Sequence, residues 1–492
     1  MFGLLICIAI ATPFIGGILI NAFRKIDNLK VMHFFTEIVV ILTSVLVFII
    51  LFNRPEGSFE IIHFTKNLSL AFKVDGLGTV FAAMIAFLWP FATLYSFEYM
   101  KHEGREHTFF TFYTMTYGVT LGISLSGNLL TMYCFYEMLT LVTIPLVVHS
   151  GTREAIRATR KYIYYSLGGA AFAFIGLVFL TVYGTTNSFT YGGVLSPEAM
   201  ADHATVLRLI FVFGFMGFSV KAAMFPFHGW LPDAGVAPTP VTALLHAVAV
   251  VKSGAFATMR LTYYCFGPDF LRGTWAQYVI MVCIIFTIVF GCSMAVKETH
   301  LKRRLAFSTV SNLSYILFGV SIMTPLGLIG ALSHMVFHAF MKILSFLCAG
   351  AVIVCSGKKY VNELDGLGKR MPHIFTLFTI SSLALMGVPG LCGFISKWNL
   401  ATAAFDSGNK LAYVGVVALL ISALLTGIYM MTIVFRAWVP GKDFDTSKNE
   451  GVKDPTWRML IPLYTFALGC VLFGLFSPVV VDFFAQIANG LI

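Results

Sequence analysis

Charge is what this 492-residue chain has least of. Only 11% of its residues are Asp, Glu, Lys or Arg, against about a quarter in soluble domains. With 58% hydrophobic residues and a mean hydropathy of +0.85, that scarcity excludes a soluble enzyme. Nine cysteines occur without a single C-x-x-C pair, an arrangement that argues against iron–sulfur, zinc and c-type haem sites. No cofactor and no resident metal is expected. Neither a dinucleotide-binding glycine fingerprint nor a Walker A sequence is present, so nucleotide-driven transport has no support. The first apolar stretch is too long and too weakly basic for a cleaved signal peptide, and no A-x-A-like site follows it. It is expected to be a retained helix. No polar connection is long enough to hold a soluble domain.

Apolar runs remain, one after another. A bilayer core takes about 20 apolar residues per crossing. About fourteen segments qualify: 2–23, 31–52, 75–97, 108–126, 128–149, 162–183, 204–225, 240–263, 276–296, 304–323, 326–354, 373–400, 411–436 and 459–484. The expected fold is an all-α polytopic membrane protein forming one integral-membrane domain over 1–492.

The net charge of +10 could suggest nucleic acid, but its placement excludes that partner. Counting loops by the helix they follow, 22 lysines and arginines, Arg24, Lys25 and Lys442 among them, fall in odd loops. Only 6 fall in even loops: Arg54, Lys66, Lys73, Arg260, Arg272 and Lys410. The positive-inside rule puts the odd loops in the cytoplasm, with both termini outside a plasma (inner) membrane.

Two spans contain helix breakers. The seventh runs from Lys221 into a segment with Pro226, Pro232, Pro238 and Pro240; each proline removes a backbone donor and clashes one turn back. The twelfth is interrupted at Gly387-Val-Pro389-Gly390, with Lys397 shortly after. Non-helical backbone at membrane depth needs protein or a water-filled cavity around it. Paired broken helices point to inverted repeats with sites at the breaks. Repeat 1 is expected over about 108–263 and repeat 2 over about 276–436, with helices 1–3 in 1–100 and helix 14 at about 459–484.

Five ionisable residues lie deep in apolar stretches: Glu137, Lys221, Lys252, Lys342 and Lys397. Each costs roughly 2.5–3.5 kcal/mol at a helix centre, so a role beyond packing is expected. Glu137 and Lys221 can form an ion pair whose strength changes with protonation, although Glu137 could also sit neutral and Lys221 could snorkel to an interface. His334, His338 and Lys342 fall at i, i+4 and i+8, one face of one helix. Two histidines in line with a buried lysine suit a proton relay near neutral pH. His228 and His246 are weaker candidates, and Lys302 reads equally as a conductor or a topology anchor.

Lys221-Ala-Ala-Met-Phe-Pro-Phe-His-Gly-Trp-Leu-Pro-Asp-Ala, Pro238-Thr-Pro-Val-Thr-Ala-Leu-Leu-His246, Leu301-Lys-Arg-Arg-Leu-Ala-Phe-Ser-Thr309 and His334-x-x-x-His338-Ala-Phe-x-Lys342 carry a family resemblance. Over roughly 75–440 the chain resembles the antiporter-like subunits of respiratory complex I, Mrp-type cation/proton antiporters and energy-converting membrane-bound hydrogenases. The resemblance implies fourteen helices with two inverted five-helix repeats, each a half-channel. It implies that Glu137 and Lys221 are the family's glutamate–lysine pair. Lys252 would be the central lysine of helix eight, linked through His334, His338 and Lys342 to Lys397. The chain stops at Ile492 without the long lateral helix of larger members, so it resembles compact members such as the Mrp D-type subunits and the single antiporter-like subunits of hydrogenases. Helix six lacks an intramembrane acid found in some relatives.

The expected function is proton translocation within a multisubunit membrane complex, redox-driven or Mrp-type. No catalytic redox centre is expected in this chain. Partners would be other integral-membrane subunits, the lipid bilayer and protons, with Na+ as the alternative ion. The rival is a stand-alone secondary transporter coupling H+ or Na+ to a small solute.

Overall fold

The computed structural model describes residues 2–22, 28–55, 57–65, 68–441 and 445–492. Arg24, Lys25, Lys66 and Lys442, used above for orientation, lie outside the described residues.

The chain begins with α1 (Phe2–Ala22) and α2 (Leu29–Asn53). The strands β1 (Ser58–Thr65) and β2 (Leu68–Lys73) follow, paired antiparallel. Helices then run α3 (Gly76–Tyr99), α4 (Glu106–Ser124), α5 (Leu129–Val147), α6 (Arg153–Tyr183) and α7 (Ala204–Ser219). A broken passage leads to α8 (Thr239–Ala247) and α9 (Val250–Met259), the latter continued by a π-helical stretch over Arg260–Phe266. Next come α10 (Trp275–Lys297), α11 (Leu301–Ile322) and α12 (Pro325–Ser356). The chain ends with α13 (Pro372–Met386), α14 (Cys392–Asp406), α15 (Lys410–Trp438), α16 (Trp457–Leu475) and α17 (Ser477–Ala488).

Caps set many of these boundaries. Side chains of Asp75, Asn128, Thr152 and Thr324 accept the backbone N–H three residues on, satisfying donors that a helix start leaves free. Gly357 and Gly387 close α12 and α13 in the left-handed conformation.

Among the described residues, eleven helical segments are long and apolar enough to cross a membrane, so the protein is a multi-pass membrane protein. Shorter apolar helices lie at 204–219, 372–386 and 477–488. The expectation of an all-α chain needs correcting for the hairpin. Phe59, Ile61, Ile62 and Phe64 favour extended backbone, and β2 packs inward while β1 stays exposed. Two further differences concern breaks. The segment read as helix eight is interrupted at Val248 and Ala249, whose dihedrals leave the helical region. The segment read as 459–484 is two helices meeting at Phe476.

Burial separates two kinds of helix. The most apolar windows of 239–266 and α11 are 100% buried, whereas those of α1, α6, α15 and α16 are 39% buried. Large apolar side chains such as Leu167, Leu424 and Leu468 cover the outer helices, as a lipid-facing rim requires. The enclosed helices α8, α9, α11 and α12 carry most of the titratable residues singled out above.

Candidate functional site

The first cluster forms where α7 stops. Lys221 lies two residues beyond Ser219, in a turn that includes Ala223 with φ +56°. The interruption frees backbone groups, and side chains take them up. Tyr136 donates to the Phe218 carbonyl at 3.0 Å, Trp230 donates to the Val220 carbonyl at 2.8 Å, and the Phe225 N–H reaches Thr287 Oγ1 at 3.1 Å. This is how broken helix survives at membrane depth. Lys221 itself is fully buried. Its ammonium donates to the Tyr136 carbonyl and lies 3.4 Å from the centroid of that tyrosine ring. Glu137 Oε1 stands 4.0 Å away and is buried without a hydrogen-bond partner. The Glu137–Lys221 pair therefore exists in a loose form, with the lysine held chiefly by Tyr136. The close approach of α9 to this turn depends on Gly254, where a Cβ would come within 2.6 Å of the Ala222 nitrogen.

The second cluster is a file of wholly buried groups. Lys252 Nζ meets His338 Nδ1 at 2.7 Å. His338 and His334 lie one turn apart on α12, their rings tilted by 32° with centroids 5.5 Å apart. His334 Nδ1 contacts Ser396 Oγ on α14 at 2.9 Å. Further along α12, Lys342 donates to Ser308 Oγ at 2.7 Å and to the Leu305 carbonyl at 3.2 Å, both on α11. The Nε2 atoms of His334 and His338 have no hydrogen-bond partner, nor does either ring nitrogen of His246. Buried polar atoms in that state are the usual seats of internal water.

Lys397 sits on α14 just past the second break. It donates to the carbonyls of Leu385 and Met386 at 2.7 and 2.9 Å, the last residues of α13. The negative end of that helix dipole stabilises its ammonium. Gly387 permits this grip: with φ +91°, it turns the chain where a Cβ would lie 3.0 Å from Lys397 Cδ. Tyr315 lies near both Lys397, 5.5 Å from its ring, and His334, with centroids 5.0 Å apart.

The weaker candidates divide. His246 packs on Phe346 in the buried file and lies within the electrostatic reach of Lys342 and Lys302. Lys302 points inward, donating to the Ala237 carbonyl at 2.9 Å beside a polar cavity of about 330 Å³ that Glu103 and Glu154 also line. His228 instead packs among Phe225 and Phe290, near Lys161, apart from the file.

Some participants escaped the sequence reading. Ser308 and Ser396 are ordinary helix residues by type, although Ser308 falls within a motif already quoted. Glu37, in the second span, is half-buried, with one oxygen buried and unpartnered. Arg260, assigned above to an outer loop, is fully buried in the π-helical stretch. It grips Asp75 with two bonds of 2.5 and 2.6 Å beneath Phe189, Phe256 and Tyr264. The signal was Asp75 itself, an acid directly before a long apolar run. Burial pushes the Asp75 carboxyl up, but the Arg260 guanidinium and the Gly78 N–H outweigh it and hold the group below its ordinary value.

Enclosed helices with two breaks, three buried lysines and two neighbouring histidines define the class: a polytopic membrane protein built around an internal line of titratable groups. Residues 126–426 match the family model described as NADH:quinone oxidoreductase/Mrp antiporter transmembrane region. Residues 62–110 match that of the complex I chain 5 N-terminus. The chain is 31% identical over 432 residues to NADH-quinone oxidoreductase subunit N of Desulforudis audaxviator, covering 84% of each. It is 24% identical over 489 residues to a Na(+)/H(+) antiporter subunit of Alkalihalophilus pseudofirmus, covering 99% of this chain and 97% of that one. In fold it is similar to a chain of the archaeal membrane-bound sulfane sulfur reductase, with TM-score 0.84 and 22% identity over 98% of this chain and 97% of that one. The chain belongs to the NADH:quinone oxidoreductase/Mrp antiporter family and is one of its antiporter-like membrane subunits.

Proposed function

We propose that this chain conducts protons as one subunit of a larger membrane complex, along Lys302, His246, Lys342, His338, Lys252, His334, Ser396 and Lys397. The observation that carries the proposal is the 2.7 Å contact of Lys252 Nζ with His338 Nδ1. A neutral imidazole takes a proton on one ring nitrogen and releases one from the other. Lys252 can thus pass its proton to Nδ1 while the Nε2 proton leaves toward water or the next group. The lysine is left neutral, a form that burial favours. Tautomer exchange in the ring resets the relay.

The loose Glu137–Lys221 pair serves as the switch. At 4.0 Å the carboxylate still favours a charged Lys221, and a closer approach would strengthen that preference. Two broken helices, each followed or ended by a buried lysine, support the finer reading of fourteen helices in two inverted repeats. With no resident redox centre expected, coupling energy comes from partner subunits, in either a redox-driven complex or an Mrp-type antiporter. In the second case Na+ is a candidate exchange ion. The charge asymmetry of the loops supports a plasma-membrane location with outward termini.

The test is proton flux through the complex in liposomes, with and without Lys252→Met. An assembled complex that pumps normally with that substitution would remove the file from the pathway. Saturable solute uptake by the isolated chain would instead favour a stand-alone secondary transporter.

A further inference from the structure

Two cavities meet on the flank of the molecule opposite the histidines of α12. The first is an apolar groove of about 430 Å³ between α2, α3, α12, α16 and α17, walled by Phe48, Met84, Val336, Phe340, Phe473 and Phe484. Exposed Leu468 and Leu472 leave it open sideways. The second, of about 490 Å³, is polar and lies where α2 ends and α3 begins, lined by Arg54, Lys73, Asp75, Thr190 and Tyr191. Thr79 and Phe483 line both, so the two spaces adjoin across a shared wall. Arg54 stands over the Phe483 ring at 5.5 Å, on that shared wall. Among the described residues, the only acidic side chain lining the polar part is Asp75, and Arg260 already neutralises it. Among the described side chains, the charges left at the mouth are those of Arg54 and Lys73.

We propose that this double cavity binds an anionic phospholipid, one acyl chain in the groove and the phosphate between Arg54 and Lys73. Charge and shape both point to a lipid. An apolar slot open to the bilayer ends in a basic pocket at headgroup depth, the level at which cationic side chains attract anionic lipids. A partner's apolar helix would fill the groove but leave the basic pocket without an anion, whereas a phospholipid supplies both an acyl chain and a phosphate. The bound chain would lie against Val336 and Phe340, on the side of α12 opposite His334 and His338, and would brace the helix that carries them.

The full-length protein, purified in mild detergent, is offered phosphatidylglycerol or phosphatidylcholine with matched chains, and retained lipid is measured by native mass spectrometry. Phosphatidylglycerol should be retained preferentially, and Arg54→Gln with Lys73→Gln should lower its retention about tenfold or more, since each basic contact contributes several-fold. Met84→Trp, which fills the groove, should reduce retention of both lipids. Equal retention of the two lipids by the unaltered protein would overturn the proposal. So would an Arg54/Lys73 double variant that folds, by thermal unfolding, yet keeps its phosphatidylglycerol. A photocrosslinker at Leu472 that labels a partner polypeptide in the intact complex, and no lipid, would assign the groove to a protein contact and overturn it as well.

Discussion

Lys252 and His338 come from helices 86 residues apart in the chain, yet their side-chain nitrogens meet at 2.7 Å inside fully buried packing. Among the described residues neither group has a carboxylate beside it, so no fixed partner balances the charge they share. Such an arrangement is costly at rest, and it suits a proton that passes through. Lys252→Met, which keeps the length and removes the exchangeable proton, should abolish proton flux while the complex assembles. Flux in reconstituted liposomes, beside a native gel for assembly, checks this.

Lys221→Ala and Glu137→Gln should both abolish pumping, with unequal structural cost. In Glu137→Gln the lysine keeps the Tyr136 carbonyl and ring, so assembly should stay near normal. Lys221→Ala leaves Glu137 without its cation in largely apolar surroundings, so assembly should suffer more than in Glu137→Gln. Normal pumping by assembled Lys221→Ala protein would exclude the pair as the switch.

His334→Ala and His338→Ala should impair flux less than Lys342→Ala. Water can occupy a space left by a histidine where polar partners remain, and Ser396 and Lys252 remain there. The direct hydrogen-bond partners of Lys342 are uncharged: Ser308 Oγ and the Leu305 carbonyl accept from it. Equal and total loss in all three variants would point to a bound metal, which elemental analysis would then detect.

Gly387→Ala should both destabilise the protein and slow transport. The position has φ +91°, which costs a residue with a Cβ about 1–2 kcal/mol, and the added methyl presses on the Lys397 stem. A lowered Tm with unchanged flux would separate Lys397 from the pathway.

The Asp75–Arg260 pair gives a pH signature. The Asp75 carboxyl is held below its ordinary value, so its stabilising contribution is present above the ordinary aspartate range and lost as pH falls through the lowered value. Asp75→Asn should reduce Tm at neutral pH and flatten its decline in acid. A variant whose acid limb parallels that of the unaltered protein would exclude the pair as its source.

Sequence carried the chemistry better than the geometry. A lysine in an apolar run is conspicuous wherever it lies, and prolines or glycines marked the breaks after Ser219 and at Gly387. Val248 and Ala249 break a helix with no such marker, because tertiary packing rather than residue type bends the chain there. Arg260 read as a loop cation since its partner, Asp75, is 185 residues away. Ser308 and Ser396 became visible only once three helices were placed around them. The hairpin was hidden among short polar connections, where two strands of eight and six residues leave little periodicity.

Gly254 gives the two lysine clusters a shared boundary. Its missing side chain lets α9 rest on the backbone of the Lys221 turn, main chain on main chain, with no flexible side chain between them to yield. Interiors packed at crystalline density transmit strain rather than absorb it. If Lys221 approaches or leaves Glu137 as proposed, a shift of that turn would be taken up by α9, and Lys252 rides on α9 two residues before the contact. On the proposed switch the contact would act as a rigid bearing, turning an electrostatic change at the Lys221 turn into a displacement of the ammonium that faces His338.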